Sequence, residues 1–277
     1  MNFRKHSPRK RFGQHWLVDQ TILERIIQAA ELKEGDRVLE VGPGKGVLTK
    51  KLLESRASAV HAIELDRDLV QDLKKLFIDY PNFSLKEGDI LTAPLTTQGG
   101  LASNKVVANI PYNITGPLLL RLLGSLSSPI KNKFELLILL LQKEVSDRIL
   151  AFPGSSNFGA LSVRMQLLAN CKSICDVPPS CFDPSPKVQS SVIAIEPSNI
   201  PYELNPKVAS NLELLLNCSF SSRRKKLRNT LGSIADSTFM YSLASKVGFD
   251  LNQRPQELSP DTWLLMAKEW NNVDKIS

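Results

Sequence analysis

Apolar positions along the first 200 residues follow two periods, one typical of helices and one typical of strands. Ile22, Ile26, Ile27 and Ala30 share one face of a predicted helix for which Asp19 is a suitable N-cap. Short apolar runs bounded by turn residues predict strands at 37–41, 59–63, 83–86, 105–108, 134–141, 172–177 and 190–195. Helical segments separate the first strands, so the pattern predicts a doubly wound α/β sheet.

The last third of the chain has a different pattern. Pro197, Pro201 and Pro206 predict a linker, and beyond it apolar residues recur at i, i+4, i+7 and i+8. We therefore predict a larger N-terminal domain over residues 1–200, which includes a basic arm at 1–13, and a small all-helical domain over 201–277.

Composition is typical of a globular protein, because 42% of the 277 residues are hydrophobic and 23% are charged. The longest strongly apolar run, residues 136–141, is far shorter than the roughly 20 residues that span a bilayer. The four cysteines form no CxxC pair and have no histidine near them, which favours free thiols over a metal site. We expect a cytoplasmic protein with no membrane or metal partner.

The net charge of +7 is concentrated in two short segments. Each segment carries five positive charges, and the rest of the chain sums to −3. They contain Arg4, Lys5, Arg9, Lys10 and Arg11, and Arg223, Arg224, Lys225, Lys226 and Arg228. Such clusters are typical of phosphate contacts with a nucleic acid, although solvated surface is the alternative interpretation.

Candidate nucleotide-binding residues follow three of the predicted strands. Gly42, Gly44 and Gly46 form a loop that lets a ligand approach the main chain closely. Glu64 follows the second strand and could accept hydrogen bonds from ribose hydroxyls, and Asp89 follows the third and could accept from an adenine amine. The loop does not match the full dinucleotide fingerprint, so a nicotinamide-dependent oxidoreductase stays an alternative here.

The string Asn109-Ile-Pro-Tyr112 at the end of the fourth strand carries the most specific chemistry. The Asn109 side-chain oxygen and the Ile110 carbonyl could accept both N–H groups of an adenine N6 amine, and Pro111 favours the extended conformation that presents that carbonyl. Tyr112 could stack on an extruded base. Alternatively, Asn109 caps the helix that begins near Thr115.

Six strings, in this order along the chain, resemble the ribosomal RNA adenine N6,N6-dimethyltransferase family. They are Lys10-Arg-Phe-Gly-Gln-His-Trp-Leu17, Glu40-Val-Gly-Pro-Gly44, Ile63-Glu-Leu-Asp66, Asn109-Ile-Pro-Tyr-Asn113, Phe182-Asp-Pro-Ser-Pro-Lys-Val188 and Phe220-Ser-Ser-Arg-Arg-Lys-Lys-Leu-Arg-Asn229. The resemblance implies a Rossmann-like class I methyltransferase sheet and S-adenosylmethionine as cofactor. The chain is most similar to bacterial members that dimethylate two adjacent adenosines near the 3′ end of 16S rRNA in the small ribosomal subunit.

The resemblance also implies roles for individual positions. Cofactor contacts would be made by His15, Leu17, Gly42, Glu64, Asp89 and Asn109, with Gly44 in the same loop. Asn109, Ile110, Pro111 and Tyr112 would hold the base, and Phe182 would close the pocket opposite Tyr112 unless it is only a core aromatic. RNA contacts are expected from Arg9, Lys10, Arg11, Arg223, Arg224, Lys225 and Arg228.

One departure from the family pattern affects the cofactor site. The family usually has Asn-Phe-Leu where this chain has His15-Trp16-Leu17. Since histidine still donates or accepts a hydrogen bond, we expect altered affinity for the cofactor and not loss of activity.

Two further alternatives remain at this stage. Relatives that methylate 23S rRNA and confer antibiotic resistance share the catalytic half, and a non-catalytic ribosome-assembly factor could retain the fold. The C-terminal basic motif favours the small subunit. We expect the enzyme to act as a monomer.

Overall fold

A computed structural model describes residues 14–96, 100–130 and 134–270 of the chain. The first helix, α1, covers Gln20–Ala29 and confirms the predicted cap, because the Asp19 carboxylate accepts the Ile22 N–H at 3.0 Å. Its buried residues, Ile22, Leu23 and Ile26, face the core that the sequence pattern indicates.

Seven strands of the described chain form one sheet. They are β2 (Arg37–Val41), β3 (Ala59–Glu64), β4 (Phe83–Glu87), β5 (Lys105–Asn109), β6 (Leu136–Gln142), β7 (Ala169–Val177) and β9 (Ser190–Pro197). Their order across the sheet is β4-β3-β2-β5-β6-β9-β7. The helices among them are α2 (Val47–Leu53), α3 (Arg67–Leu76), α4 (Thr115–Leu123), α5 (Lys143–Leu150) and α6 (Ala160–Leu168). The predicted α/β class is confirmed.

The sheet is parallel from β4 to β6 and gains an antiparallel strand where β9 pairs with β6. Chain order reverses at β2, which has β3 on one side and β5 on the other. The carboxyl ends of β2 and β5 therefore meet at the topological switch point, which is where ligands bind in open α/β sheets.

Several strand bounds differ from the sequence-based expectation, and β7 begins at Ala169 and not at Lys172. The fifth strand of the pattern begins at Leu136 and not at Phe134, although Phe134 is buried. The chain also forms a two-residue antiparallel pair that periodicity could not indicate, between β1 (Trp16–Leu17) and β8 (Phe182–Asp183). Strands this short carry no measurable period.

Residue contacts divide the chain into two compact units. The first unit contains the described residues up to Gly124 together with Ile130–Ser146 and Cys171–Pro197. The second unit contains Ser125–Pro129, Asp147–Asn170 and the described residues from Ser198 onward. The segment 147–170 thus packs with the C-terminal helices, whereas the functional division at residue 200 stays a prediction.

The second unit is helical beyond residue 198. The pattern predicts the helices from Pro206 onward, whereas the short helix Ile200–Glu203 lies in the predicted linker. Its helices are α7 (Ile200–Glu203), α8 (Pro206–Phe220), α9 (Leu227–Leu231), α10 (Ser237–Val247) and α11 (Pro260–Glu269). Its core includes the fully buried Trp263 and Phe158. None of the helices in the described ranges is long and apolar enough to cross a bilayer.

Candidate active site

A cavity of about 300 Å³ lies at the carboxyl ends of β2, β3 and β5 in the first unit. Its lining includes most of the predicted site residues: His15, Gly42, Gly44, Glu64, Asp89, Asn109, Ile110, Pro111 and Tyr112. The fold therefore brings together side chains that are up to 97 positions apart in the sequence. Their roles stay predictions.

The Asn109 side chain is oriented by the main chain of a distant residue. Its Nδ2–H group donates to the His15 carbonyl oxygen at 2.9 Å. Since the amide nitrogen is the group that donates, the side-chain oxygen Oδ1 is the acceptor left to meet a ligand. The main chain is also fixed here, because the Ile110 N–H donates to Leu140 of the neighbouring strand at 3.0 Å.

The Glu64 carboxylate is held at the end of β3 by two main-chain donors. Oε2 accepts the Gly44 N–H at 3.1 Å, and Oε1 accepts the Asp66 N–H at 2.8 Å. Glu64 is buried, and this burial raises the pKa of its carboxyl above the usual value even though both donors favour ionisation. Each oxygen still has a lone pair for a further hydrogen bond.

A second buried carboxyl lies near Glu64 and was not predicted as part of the site. Glu40 is 1% exposed, and burial, together with the nearby Glu64 carboxylate, raises the pKa of Glu40 to about 8. Its Oε2 atom has no hydrogen-bond partner among the described residues. The Glu40 side chain therefore retains its proton at neutral pH.

The glycine loop after β2 needs its glycines for two different reasons. All three have positive φ angles, of 63° at Gly42, 59° at Gly44 and 76° at Gly46. At Gly44 an added Cβ would lie 2.6 Å from the Trp16 ring, whereas at Gly42 the nearest atom would be Pro111 Cδ at 4.0 Å. Gly44 thus lets Trp16 cover the loop, and Gly42 leaves room beside the cavity.

Tyr112 is fixed from two directions. Its hydroxyl forms a 2.6 Å hydrogen bond with Ser190 Oγ, and its ring stacks on the His15 ring with centroids 5.9 Å apart and planes 20° apart. The His15 ring is in turn anchored, because its Nδ1–H group donates to the Pro184 carbonyl at 2.7 Å. These contacts together hold the orientation of the Tyr112 ring.

Three further predicted site residues differ in whether they reach the cavity. Asp89 lines the cavity, and its Oδ1 accepts the Leu91 N–H at 2.9 Å, which fixes the carboxylate in the turn after β4. Leu17 and Phe182 are paired in register and buried, and neither lines the cavity. Leu17 borders a smaller neighbouring pocket with Gly42 and Asn109, while Phe182 packs in the hydrophobic core.

The predicted RNA contacts have different environments. Arg9, Lys10 and Arg11 lie outside the described residues. Arg224, Lys225 and Arg228 are exposed in the second unit. Arg223 is also exposed, but its guanidinium donates to the carbonyls of Ser156 and Phe158, so part of its hydrogen-bonding capacity is already used.

Several residues of the site were not predicted from the sequence. Gln14 and Trp16 line the cavity, and the Gln14 side chain donates to Asp66 at 3.0 Å. Both fall within the first family-like string, so that string was the available signal. Pro184 falls within the fifth family-like string, whereas no local pattern marks Ser190, which reaches the site through its hydrogen bond with Tyr112. The described residues contain no group of three or more potential metal ligands.

Comparison with known proteins gives one family. The sequence model of a family described as "Ribosomal RNA adenine dimethylase" matches residues 5–272 of the chain. Two curated relatives are named "Ribosomal RNA small subunit methyltransferase A". The one from Synechococcus sp. (strain CC9311) is 55% identical over 100% of both chains. The one from Prochlorococcus marinus (strain MIT 9211) is 56% identical over 100% of this chain and 98% of its own.

Solved structures agree with this result. A dimethyladenosine transferase from Plasmodium falciparum superposes with a TM-score of 0.77 at 27% identity, covering 93% of this chain and 98% of its own. The 23S rRNA methyltransferase ErmE has a TM-score of 0.71 at 24% identity, covering 92% and 99%. The latter similarity concerns the fold alone.

Proposed function

The chain belongs to the ribosomal RNA adenine dimethylase family, and from this membership we propose that it methylates the small-subunit ribosomal RNA. The reaction transfers methyl groups from S-adenosylmethionine to N6 of two adjacent adenosines near the 3′ end of 16S rRNA, giving N6,N6-dimethyladenosine. The small-subunit substrate follows the names of relatives that are 55–56% identical over the full chain.

The residues around the cavity fit S-adenosylmethionine, which supplies a methyl group activated by its positively charged sulfur. Glu64 would accept hydrogen bonds from the ribose hydroxyls, since both of its oxygens are already fixed by main-chain donors. Asp89 would accept from the adenine amine, and the loop containing Gly42 and Gly44 would let the cofactor approach the main chain. His15 and Leu17 would complete this site.

The observation that carries the proposal is the orientation of Asn109. Adenine N6 is a poor nucleophile because its lone pair is delocalised into the ring. With Nδ2 donating to His15, Asn109 Oδ1 can accept one N–H of the amine, and the Ile110 carbonyl can accept the other. Holding the amine in this way would favour its attack on the methyl group by alignment and electrostatics. As the N–C bond forms, the S–C bond would break and the sulfur leave as a neutral thioether, and the cationic amine would then lose its proton to solvent without a general base.

Tyr112 would provide the surface on which the extruded adenine stacks. A base–aromatic stack is worth about 1–3 kcal/mol, which offsets much of the few kcal/mol that base flipping costs. Because Ser190 and His15 already fix the ring, little ordering is needed when the base enters. Phe182 is buried, so a role opposite Tyr112 would require its movement.

The finer setting of the reaction is also part of the proposal. The exposed residues Arg224, Lys225 and Arg228 would contact phosphates of the ribosomal RNA. We propose that the substrate is an assembling small subunit in the cytoplasm, that the protein contributes to subunit biogenesis, and that it acts as a monomer without a metal.

The direct test is incubation of the pure protein with labelled S-adenosylmethionine and small subunits from an undermethylated strain, followed by mapping of the modified bases. We expect label on two adjacent adenosines of 16S rRNA, as N6,N6-dimethyladenosine. Large subunits are incubated in parallel. Label on their 23S rRNA with none on 16S rRNA, or no label on either subunit, would contradict the proposal.

A further inference from the structure

One phenylalanine of the second unit is unusually exposed. Phe152 is 72% exposed, whereas its neighbour Ala151 and the other phenylalanine of the same loop, Phe158, are buried in the core of that unit. The loop 152–158 is thus anchored at both ends, and it presents an aromatic ring to solvent.

Hydrogen bonds hold the loop 152–158 in a defined shape. The Ser155 N–H and hydroxyl both donate to the Phe152 carbonyl, at 3.1 and 2.8 Å, and the Phe158 N–H donates to Ser155 at 3.2 Å. The Gly154 N–H donates to the Gln256 carbonyl at 2.7 Å. Since two consecutive turns and an outside contact fix the backbone, Phe152 is presented from an ordered loop.

Two independent links hold this loop beside the basic segment 223–228. The first is Arg223, whose guanidinium donates to the carbonyls of Ser156 and, at 2.8 Å, Phe158. The second is the segment 251–256, which accepts the Gly154 N–H through Gln256 and the N–H groups of Leu227 and Arg228 at 2.9 and 3.0 Å. Loop 152–158 and the segments 223–228 and 250–257 therefore lie side by side and together make up a surface of the second unit.

The charge of this surface is positive. The loop 152–158 contains no charged residue, and the segments 223–228 and 250–257 contain six basic and two acidic residues. The acidic residues are also engaged, because Asp250 accepts the Asn252 N–H at 2.8 Å and Glu257 accepts the Arg254 N–H. An exposed aromatic ring beside several cations suits single-stranded nucleic acid, in which bases stack and phosphates pair with basic groups.

We propose that Phe152 stacks on an unpaired base of the ribosomal RNA while Arg224, Lys225 and Arg228 contact the neighbouring phosphates. Arg223 is then a positioning residue, because its guanidinium holds the loop that carries the ring. This inference rests on the proposed function for the identity of the RNA, and it adds a base contact by a residue that does not line the adenosine cavity.

The test measures binding of full-length variants to undermethylated small subunits. Phe152→Ala should weaken binding by roughly 5- to 100-fold, the range expected when one base stack is removed. Phe152→Trp should bind like the wild type, whereas Phe152→Leu should bind like the alanine variant. The salt dependence should stay unchanged in all three, since the ring carries no charge. Ile78→Ala is the matched control, because Ile78 is 76% exposed in the first unit.

The positioning role of Arg223 is tested by combining Arg223→Lys with Phe152→Ala and comparing the effects on binding. Arg223→Lys keeps the charge but loses the fork of donors, so Phe152→Ala should have a smaller effect in that background than in the wild type. Equal effects in both backgrounds would overturn the role of Arg223.

Two results would overturn the stacking contact itself. They are unchanged binding by Phe152→Ala, and wild-type binding by Phe152→Leu, which would indicate an apolar contact with a ribosomal protein. Methyl transfer by the wild type is assayed on the same subunits. If the wild type methylates them while Phe152→Ala binds normally, only the stacking contact is wrong. If the wild type methylates nothing, the proposed function fails, and the binding series still decides whether Phe152 contacts the subunit.

Discussion

At the scale of single residues, the site depends on which atom of each side chain is already engaged. Asn109 uses its nitrogen on the His15 carbonyl, Tyr112 uses its hydroxyl on Ser190, and Glu64 uses one lone pair of each oxygen on a main-chain N–H. The groups that remain are an amide oxygen, an aromatic face and carboxylate lone pairs. These are the groups to which the proposed function assigns the amine, the base and the cofactor ribose.

Asn109→Ala should reduce methyl transfer by about 100-fold or more, because it removes the oxygen that, in the proposed function, accepts a hydrogen bond from the attacking amine. Cofactor binding, measured by calorimetry, should remain largely intact. Gln71→Ala, which removes an exposed amide from α3, is the control. Near-normal turnover by Asn109→Ala would contradict the mechanism.

Two substitutions of Tyr112 distinguish the contribution of its ring from that of its hydroxyl. Tyr112→Phe loses only the hydrogen bond to Ser190 and should keep turnover within about tenfold of the wild type. Tyr112→Ala loses the stack and should reduce kcat more than RNA affinity. Single-turnover rates and binding measured on the same subunits would check this. An equal loss of turnover in Tyr112→Phe and Tyr112→Ala would show that the ring does not contribute to catalysis.

Glu40 predicts a pH dependence of stability. The unfolded chain ionises this carboxyl near pH 4.5, while the folded protein retains the proton until about pH 8. The unfolded state binds fewer protons in that window, so the contribution of Glu40 to stability is full below pH 4.5 and is lost as the pH rises to about 8.

Glu40→Gln cannot ionise and should lose this slope. Its free energy of unfolding relative to the wild type should rise from about pH 5 to about pH 8 by an amount on the order of a few kcal/mol. Urea unfolding at both values measures it, with the exposed Glu34→Gln as control. A difference that does not vary with pH would contradict the raised pKa.

At the scale of elements, β2, β3, β5, β6 and β9 were predictable because they are buried runs, whereas β4 and β7 are more exposed. Leu137–Leu141 of β6 are each 1% exposed or less, so an apolar sequence was sufficient to identify the strand. The β1–β8 pair was not predictable, because two residues have no period and their pairing joins segments that are far apart in the chain. That pair brings Leu17 to Phe182, which explains why Phe182 is buried in the core.

The loop after β2 gives a prediction at this scale. Gly44→Ala should lower stability by more than Gly35→Ala, since both positions have positive φ but only Gly44 faces the Trp16 ring at 2.6 Å. We expect Gly35→Ala to cost about 1–2 kcal/mol and Gly44→Ala to cost more and to weaken cofactor binding. Urea unfolding and calorimetry test this, and equal costs would exclude the contact with Trp16.

At the scale of the whole molecule, periodicity located the change from α/β to helical structure but not the path of the chain between units. The segment 147–170 contains α6 and packs with the C-terminal helices through contacts such as Arg164 with Glu213, which are 2.8 Å apart. The packing of this segment with helices that follow much later in the chain cannot be predicted from local pattern, because it depends on which buried helix faces fit together.

The two-cluster charge distribution predicts how RNA binding responds to salt. Arg224→Ala with Lys225→Ala should lower affinity for small subunits and reduce the slope of log K against log salt by about 0.7–0.9 for each phosphate that the variant no longer neutralises. Lys74→Ala with Lys75→Ala, which removes two exposed charges from α3, should leave the slope unchanged. The same slope in both double variants would exclude phosphate contact by Arg224 and Lys225.

The contact between Asn109 and the His15 carbonyl has a consequence for evolutionary variation of the site. Because the acceptor belongs to the peptide backbone, any amino acid at position 15 except one that moves the backbone would preserve it. This contact alone therefore leaves position 15 free to diverge, although a residue without an aromatic ring there would lose the stack on Tyr112. Position 109 has no such freedom, since aspartate has no donor and glutamine is one methylene longer.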